Sequence, residues 1–148
     1  MSLPLLLRRR GGNVNLVPNG DMELMTPDWE SINSPTTNER SDTRAYNGTY
    51  SRHIVCDAAG SAEQGSRMNA TGLVIGVSYT LTGYIWLVSG TYAYIHCLAG
   101  GSPAITSTTG SWVEVTDTFT ANATTGYVNI LATKNAEVYF DYLTLLRA

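Results

Sequence analysis

An all-β sandwich is predicted by three features of this 148-residue sequence. Only 14% of the residues are charged, fewer than the polar faces of a helical domain require. Gly, Ser, Thr and Asn are abundant, as they are where short strands alternate with polar turns. Apolar and polar residues also alternate in short runs, separated by turn signals at sandwich spacing. The length suits one domain with a sizeable core. We divide it into an extended N-terminal arm, residues 1–12, and a sandwich of about eight antiparallel strands, residues 13–148.

The arm reads Ser2-Leu3-Pro4-Leu5-Leu6-Leu7-Arg8-Arg9-Arg10 and ends on the hinge pair Gly11-Gly12. Its apolar stretch is too short for a secretory signal, and its arginines follow that stretch instead of preceding it. Asn13 to Val17 reads as a first strand that closes on the turn signal Asn19-Gly20. Met25 to Thr43 is rich in Pro, Asn, Ser and Thr and has no helical period, which predicts a long irregular connection anchored by Trp29 and Ile32. Asn47-Gly48 opens a strand over Thr49 to Cys56. Its alternation places Tyr50, Arg52, Ile54 and Cys56 on one side and Ser51, His53 and Val55 on the other. Gln64 to Asn69 reads as a short strand, and the glycines at 72 and 76 exclude a stable helix around Leu73-Val74-Ile75. Tyr79 to Val88, Tyr92 to Leu98, Ser111 to Thr120, Tyr127 to Ala132 and Val138 to Leu146 complete the set.

The formal net charge is -3. Setting aside the three arginines of the arm leaves six basic residues against twelve acidic ones, so the body carries no nucleic-acid footprint. No apolar run reaches the roughly 20 residues that span a bilayer. Cys56 and Cys97 both fall in apolar strand-like runs, where buried free thiols are favoured over a bridge. Sequons at Asn47, Asn69 and Asn122 coincide with ordinary turn chemistry. Neither His53 nor His96 adjoins a nucleophile motif, and no phosphate-binding glycine loop or zinc-type cluster is present. The chain is therefore predicted to be non-enzymatic, with no required cofactor.

The aromatic residues form the strongest constellation. Tyr84 and Trp86 lie on one predicted strand, and Tyr92, Tyr94 and His96 lie on the next. A two-residue turn at Ser89-Gly90 would scatter these rings over both faces. A three-residue turn through Thr91 would instead pair Trp86 with Tyr94 and Tyr84 with His96, leaving Ile85, Leu87, Ala93, Ile95 and Cys97 together on the core side. The second register separates the faces better and is the one we adopt. Such a face offers flat rings beside hydroxyl and imidazole groups, which suits a sugar ring. It equally suits a protein interface, or burial beneath the Met25 to Thr43 connection.

Several segments in order resemble carbohydrate-binding modules of the family 4 and family 9 kind, which are jelly-roll sandwiches related to galactose-binding domains. They are Asn15-Leu16-Val17-Pro18-Asn19-Gly20-Asp21-Met22-Glu23 with Trp29, then Tyr46-Asn47-Gly48-Thr49-Tyr50-Ser51, and Gly76-Val77-Ser78-Tyr79-Thr80-Leu81-Thr82-Gly83-Tyr84. Gly110-Ser111-Trp112, Phe119-Thr120-Ala121 and Val138-Tyr139-Phe140-Asp141-Tyr142-Leu143 follow. The resemblance implies a jelly roll in which glycans lie along one sheet and Trp29 and Trp112 pack internally. It also implies a structural calcium held by Glu23 and Asp141, although Tyr142 stands where the family often has a second acid. Without metal, Glu23 would cap a turn and Asp141 would accept backbone hydrogen bonds.

The predicted strands run to the end of the chain, an expectation that the domain acts alone. An apolar-then-basic arm on such a domain is similar to the docking segments of small virion proteins of tailed bacteriophages. This likeness implies a capsid-decoration or tail component at the virion surface, docking on other protein subunits through Leu3, Leu5, Leu6, Leu7, Arg8, Arg9 and Arg10. The alternative is an extracellular glycan-binding module that uses Tyr84, Trp86, Tyr92, Tyr94 and His96. Neither a membrane nor a nucleic acid is expected as a partner.

Overall fold

The computed structural model describes residues 13–148; the arm and its proposed docking residues lie outside the described residues. Ten strands run in chain order as β1 (Glu30–Ile32), β2 (Thr37–Ser41), β3 (Ser51–Val55), β4 (Glu63–Thr71), β5 (Ser78–Ser89), β6 (Ala93–Cys97), β7 (Ala104–Thr106), β8 (Val113–Thr120), β9 (Thr125–Thr133) and β10 (Glu137–Arg147). They form two antiparallel sheets of five, ordered β1-β4-β9-β6-β7 and β2-β3-β10-β5-β8. The two sheets pack face to face as a jelly-roll sandwich.

Alternation explains the core. Along β5, Tyr79, Leu81, Ile85 and Leu87 are buried, while Thr80, Thr82, Tyr84 and Trp86 between them face outward half-buried. Ile54 of β3, Ile95 of β6, Ile130 of β9 and Phe140 of β10 are also fully buried. A repeat of two therefore puts one continuous apolar layer between the sheets. Cys56 and Cys97 sit in this layer as free thiols, and burial pushes the Cys56 thiol up to about 11. Such thiols pack as small apolar side chains and are poor nucleophiles.

The expected first strand does not form. Residues 15–20 instead lie along β10 through a few bonds: Leu16 N donates to Leu145 O at 3.1 Å, Leu143 N donates to Gly20 O at 2.8 Å, and the Asn15 side chain bonds both Leu143 O and Leu145 N. The stretch expected to be an irregular connection contains β1 and β2, which are short, polar strands outermost in their sheets. Trp29 anchors it as expected, 2% exposed, with its indole N–H donating to Asn19 O at 3.1 Å. Arg52, on the same side as Ile54, is buried at 3% exposure yet bonded to Asp28, Asn38 and the Trp29 carbonyl. It fastens this segment to β3.

Among the described glycines, the backbone of a neighbouring strand comes nearest at Gly65 of β4. A Cβ placed there would lie 1.9 Å from the Ile130 carbonyl oxygen, so any side chain must push β9 away. Gly65→Ala is expected to destabilise the domain by at least about 1–3 kcal/mol, the usual cost of overpacking. Thermal unfolding checks this, and an unchanged Tm would refute it.

Candidate functional site

The jelly roll divides the expected aromatic face in two. β5 belongs to one sheet and β6 to the other, so no hairpin pairs Trp86 with Tyr94 or Tyr84 with His96. Between them the chain crosses from sheet to sheet through Gly90, at φ 120°, where a Cβ would sit 2.5 Å from that of Ala136. Ile85, Leu87, Ala93, Ile95 and Cys97 do share the core, each at 0% exposure. They meet there from opposing sheets, and Tyr84 and Trp86 consequently point away from Tyr92, Tyr94 and His96.

The second group is largely committed to its own sheet. The Tyr92 and Tyr94 hydroxyls both donate to Glu63. Burial, then the bond to Glu63, raises the Tyr94 phenol well above its ordinary value. His96 Nε2 lies 2.9 Å from the Gly101 carbonyl oxygen.

The first group belongs to a larger constellation on the outer face of the β2-β3-β10-β5-β8 sheet. Strand register sets Glu39 opposite His53, His53 opposite Tyr139, and Tyr139 opposite Trp86. Trp112, one residue before β8, continues this row and stands edge-on to Trp86 at 5.8 Å between centroids and 76°. The expectation that Trp112 packs internally is corrected: it is half-buried on this face. In the next row Asp141 faces Tyr84, and Tyr84 faces Glu114. Tyr46, from the loop between β2 and β3, lies flat on Tyr84 at 3.6 Å and 8° and meets Trp112 edge-on at 6.1 Å.

Polar groups surround these rings. His53 stacks on Tyr139 at 4.4 Å and 11°, with Nε2 2.8 Å from Glu137 and Nδ1 3.8 Å from Glu39. The Tyr84 hydroxyl donates to Glu114 at 2.7 Å, and bonding to Tyr46 and then to Glu114 raises that phenol well above its ordinary value. The Arg44 guanidinium lies over Trp86 and Tyr139, 4.4 and 4.8 Å from the ring centroids. Tyr46 and Tyr142 are 44% and 38% exposed.

A bulge in β10 supports the loop that carries Tyr46. The register slips between Asp141 and Thr144, and Tyr142 takes φ 53°. The inward positions accordingly change from Val138 and Phe140 to Leu143 and Leu145. Asp141, fully buried, accepts from the amides of Tyr46 at 2.8 Å, Asn47 at 3.0 Å and Tyr142 at 2.7 Å. Glu23 accepts from Thr49 at 3.1 Å and from Tyr50 at 2.9 Å, against Gly48, whose added Cβ would meet the carboxylate at 2.6 Å.

The carboxylates that the resemblance assigned to calcium thus converge on one turn, where each already accepts backbone N–H bonds. Calcium takes six to eight oxygen ligands, backbone carbonyls among them; the two carboxylates would supply only part of such a set, and among the described residues no group of three or more His, Cys, Asp or Glu comes together. We propose that backbone hydrogen bonds alone hold the turn. Calcium or a chelator is then expected to leave Tm unchanged, and a saturable rise in Tm with calcium would overturn this.

His53, Tyr139, Arg44, Tyr46 and Trp112 were absent from the site expected from sequence. The strand alternation already put His53 on the side opposite Ile54. No sequence signal announced that β3 and β10 are neighbours.

No protein-family model matches the chain, and no curated protein matches it. Solved structures do. TmCBM61, solved in complex with beta-1,4-galactotriose, superposes with a TM-score of 0.69 at 15% identity, covering 91% of this chain and 99% of that one. The C-terminal family 22 carbohydrate binding module of Clostridium thermocellum Xyn10B gives 0.69 at 16% identity, covering 87% and 91%. The enzymatically active domain of Bacteriophage CBA120 tailspike protein 4 gives 0.66 at 14% identity, covering 90% of this chain but 21% of that one. The jelly-roll fold is therefore that of carbohydrate-binding modules.

Proposed function

We propose that the domain binds a glycan on the outer face of the β2-β3-β10-β5-β8 sheet and leaves it chemically unaltered. The observation that carries this reading is the unbroken row of Glu39, His53, Tyr139 and Trp86 across four hydrogen-bonded strands, ending at Trp112. A sugar ring presents an apolar C–H face and a rim of hydroxyls. Trp86, Trp112 and the Tyr46–Tyr84 stack provide rings for the face, and Glu39, Glu137 and Glu114 provide acceptors for the rim. The shared fold adds support only by analogy. Binding is favoured over hydrolysis because Asp141 is committed to three amides, while Glu137 and Glu114 are each tied through Oε2 to a ring partner, His53 and Tyr84, and keep Oε1 for a sugar hydroxyl. Affinity electrophoresis tests this with gels containing xylan, β-galactan and other soluble polysaccharides. Retardation by at least one is expected, and unchanged mobility in all of them would overturn the reading.

The assembly reading has one specific support, the likeness to part of a bacteriophage tailspike protein. It otherwise rests on the arm, residues 1–12. On that reading, removing the arm abolishes self-association or incorporation into a particle, which native mass measurement would detect; identical masses and no incorporation would reject it.

A further inference from the structure

We infer that Arg44 makes this face selective for glycans that carry a uronic-acid carboxylate, an inference that rests on the glycan-binding reading above. Three observations single out this side chain. Its guanidinium sits over both Trp86 and Tyr139 at the centre of the ring floor. Among the described residues it has no carboxylate within 4.0 Å, and its Nε is buried without a hydrogen-bond partner. Its backbone is nonetheless fixed: Ser51 Oγ donates to the Arg44 carbonyl at 2.6 Å, and two residues later Asp141 holds the Tyr46 amide. With Nε enclosed, a ligand oxygen would meet this positioned cation at its terminal guanidinium nitrogens.

Magnitudes favour a carboxylate over a hydroxyl. A hydrogen bond from the charged guanidinium contributes about 1.5–3 kcal/mol with either acceptor, and a carboxylate adds the attraction between opposite charges. The planar guanidinium fork also matches a carboxylate bidentately, which an ammonium does not. Opposing this, Glu39, Glu137 and Glu114 would repel an anion. The side chains of Glu39 and Glu137 are 63% and 38% exposed, and a like-charge pair near a protein surface costs about 4 kcal/mol at 4 Å, less at greater distance and in salt. A uronic-acid substituent seated on Arg44, which has no carboxylate within 4.0 Å among the described residues, keeps the attraction in full while distance and salt weaken the repulsion from the rim.

Titration calorimetry tests this with glucuronoxylan and with galacturonan, each before and after reduction of its carboxyl groups to hydroxymethyl groups. The wild-type protein is expected to bind at least one acidic polymer tenfold or more tightly than its reduced form. Arg44→Gln is expected to remove that preference while keeping the wild-type Tm, and Arg44→Lys to restore it only in part. Equal affinity for both forms, failure to bind either acidic polymer, or a preference that survives in Arg44→Gln would overturn the inference. The glycan-binding reading would survive any of these if neutral polysaccharides still retard the protein and Trp86 is required for it.

Discussion

Replacing Trp86 by alanine is expected to weaken glycan binding by roughly 30-fold or more, the effect of losing an interaction of about 2 kcal/mol at the centre of a binding surface. Trp86 occupies the middle of the cross-strand row: Tyr139 is beside it on β10, Trp112 stands edge-on to it, and Arg44 lies over it. Its removal deletes ring area and leaves the guanidinium without one of its two aromatic seats. The fold should tolerate the change, because Trp86 points outward while Ile85 and Leu87 on either side fill the core. Tyr92→Ala, on the opposite sheet, is expected to leave binding intact. Affinity electrophoresis and calorimetry of the two variants separate the faces, and a Tyr92→Ala protein that alone loses binding would place the site on the wrong sheet.

The residues differ in how readily the sequence discloses their places. The alternation in Ser78–Ser89 and Ala93–Cys97 correctly divides inward from outward side chains, because a repeat of two is a local property. It carries no information about which sheet a strand joins. Ile85 and Ile95 therefore share the core from opposite sides, and Trp86 and Tyr94 end on opposite surfaces. β1 and β2 escape detection because Glu-Ser-Ile and Thr-Asn-Glu-Arg-Ser are short and polar, as strands at a sheet edge can be. Arg44 and Tyr46 come from a loop, and Trp112 from a strand entrance, so periodicity says nothing of them. His53 and Glu137 meet across 84 positions of chain, a juxtaposition that only the topology creates. The segments resembling carbohydrate-binding modules indicate the fold correctly, but the inward packing they imply for Trp112 does not hold.

Stability should fall as pH rises from about 4 through about 7, and Asp141 should be the cause. Burial, only partly offset by bonds from Asn47, Tyr46 and Tyr142, pushes its carboxyl up to about 7 in the folded protein. The unfolded chain has an ordinary carboxyl that releases its proton near pH 4. Between these values the folded state holds a proton that the unfolded state has lost, so stability decreases with pH across this window. Each unit corresponds to about 1.4 kcal/mol, and the total is expected to be on the order of 2–4 kcal/mol. Denaturant unfolding at pH 5 and pH 8 measures it, with the wild type more stable at pH 5. Asp141→Asn cannot ionise and should lose most of this slope, whatever its absolute stability. An unchanged slope in that variant would assign the titration to another group. A slope that disappears would show that the carboxyl is predominantly neutral below pH 7, the state in which burial beneath the Tyr46 loop costs least.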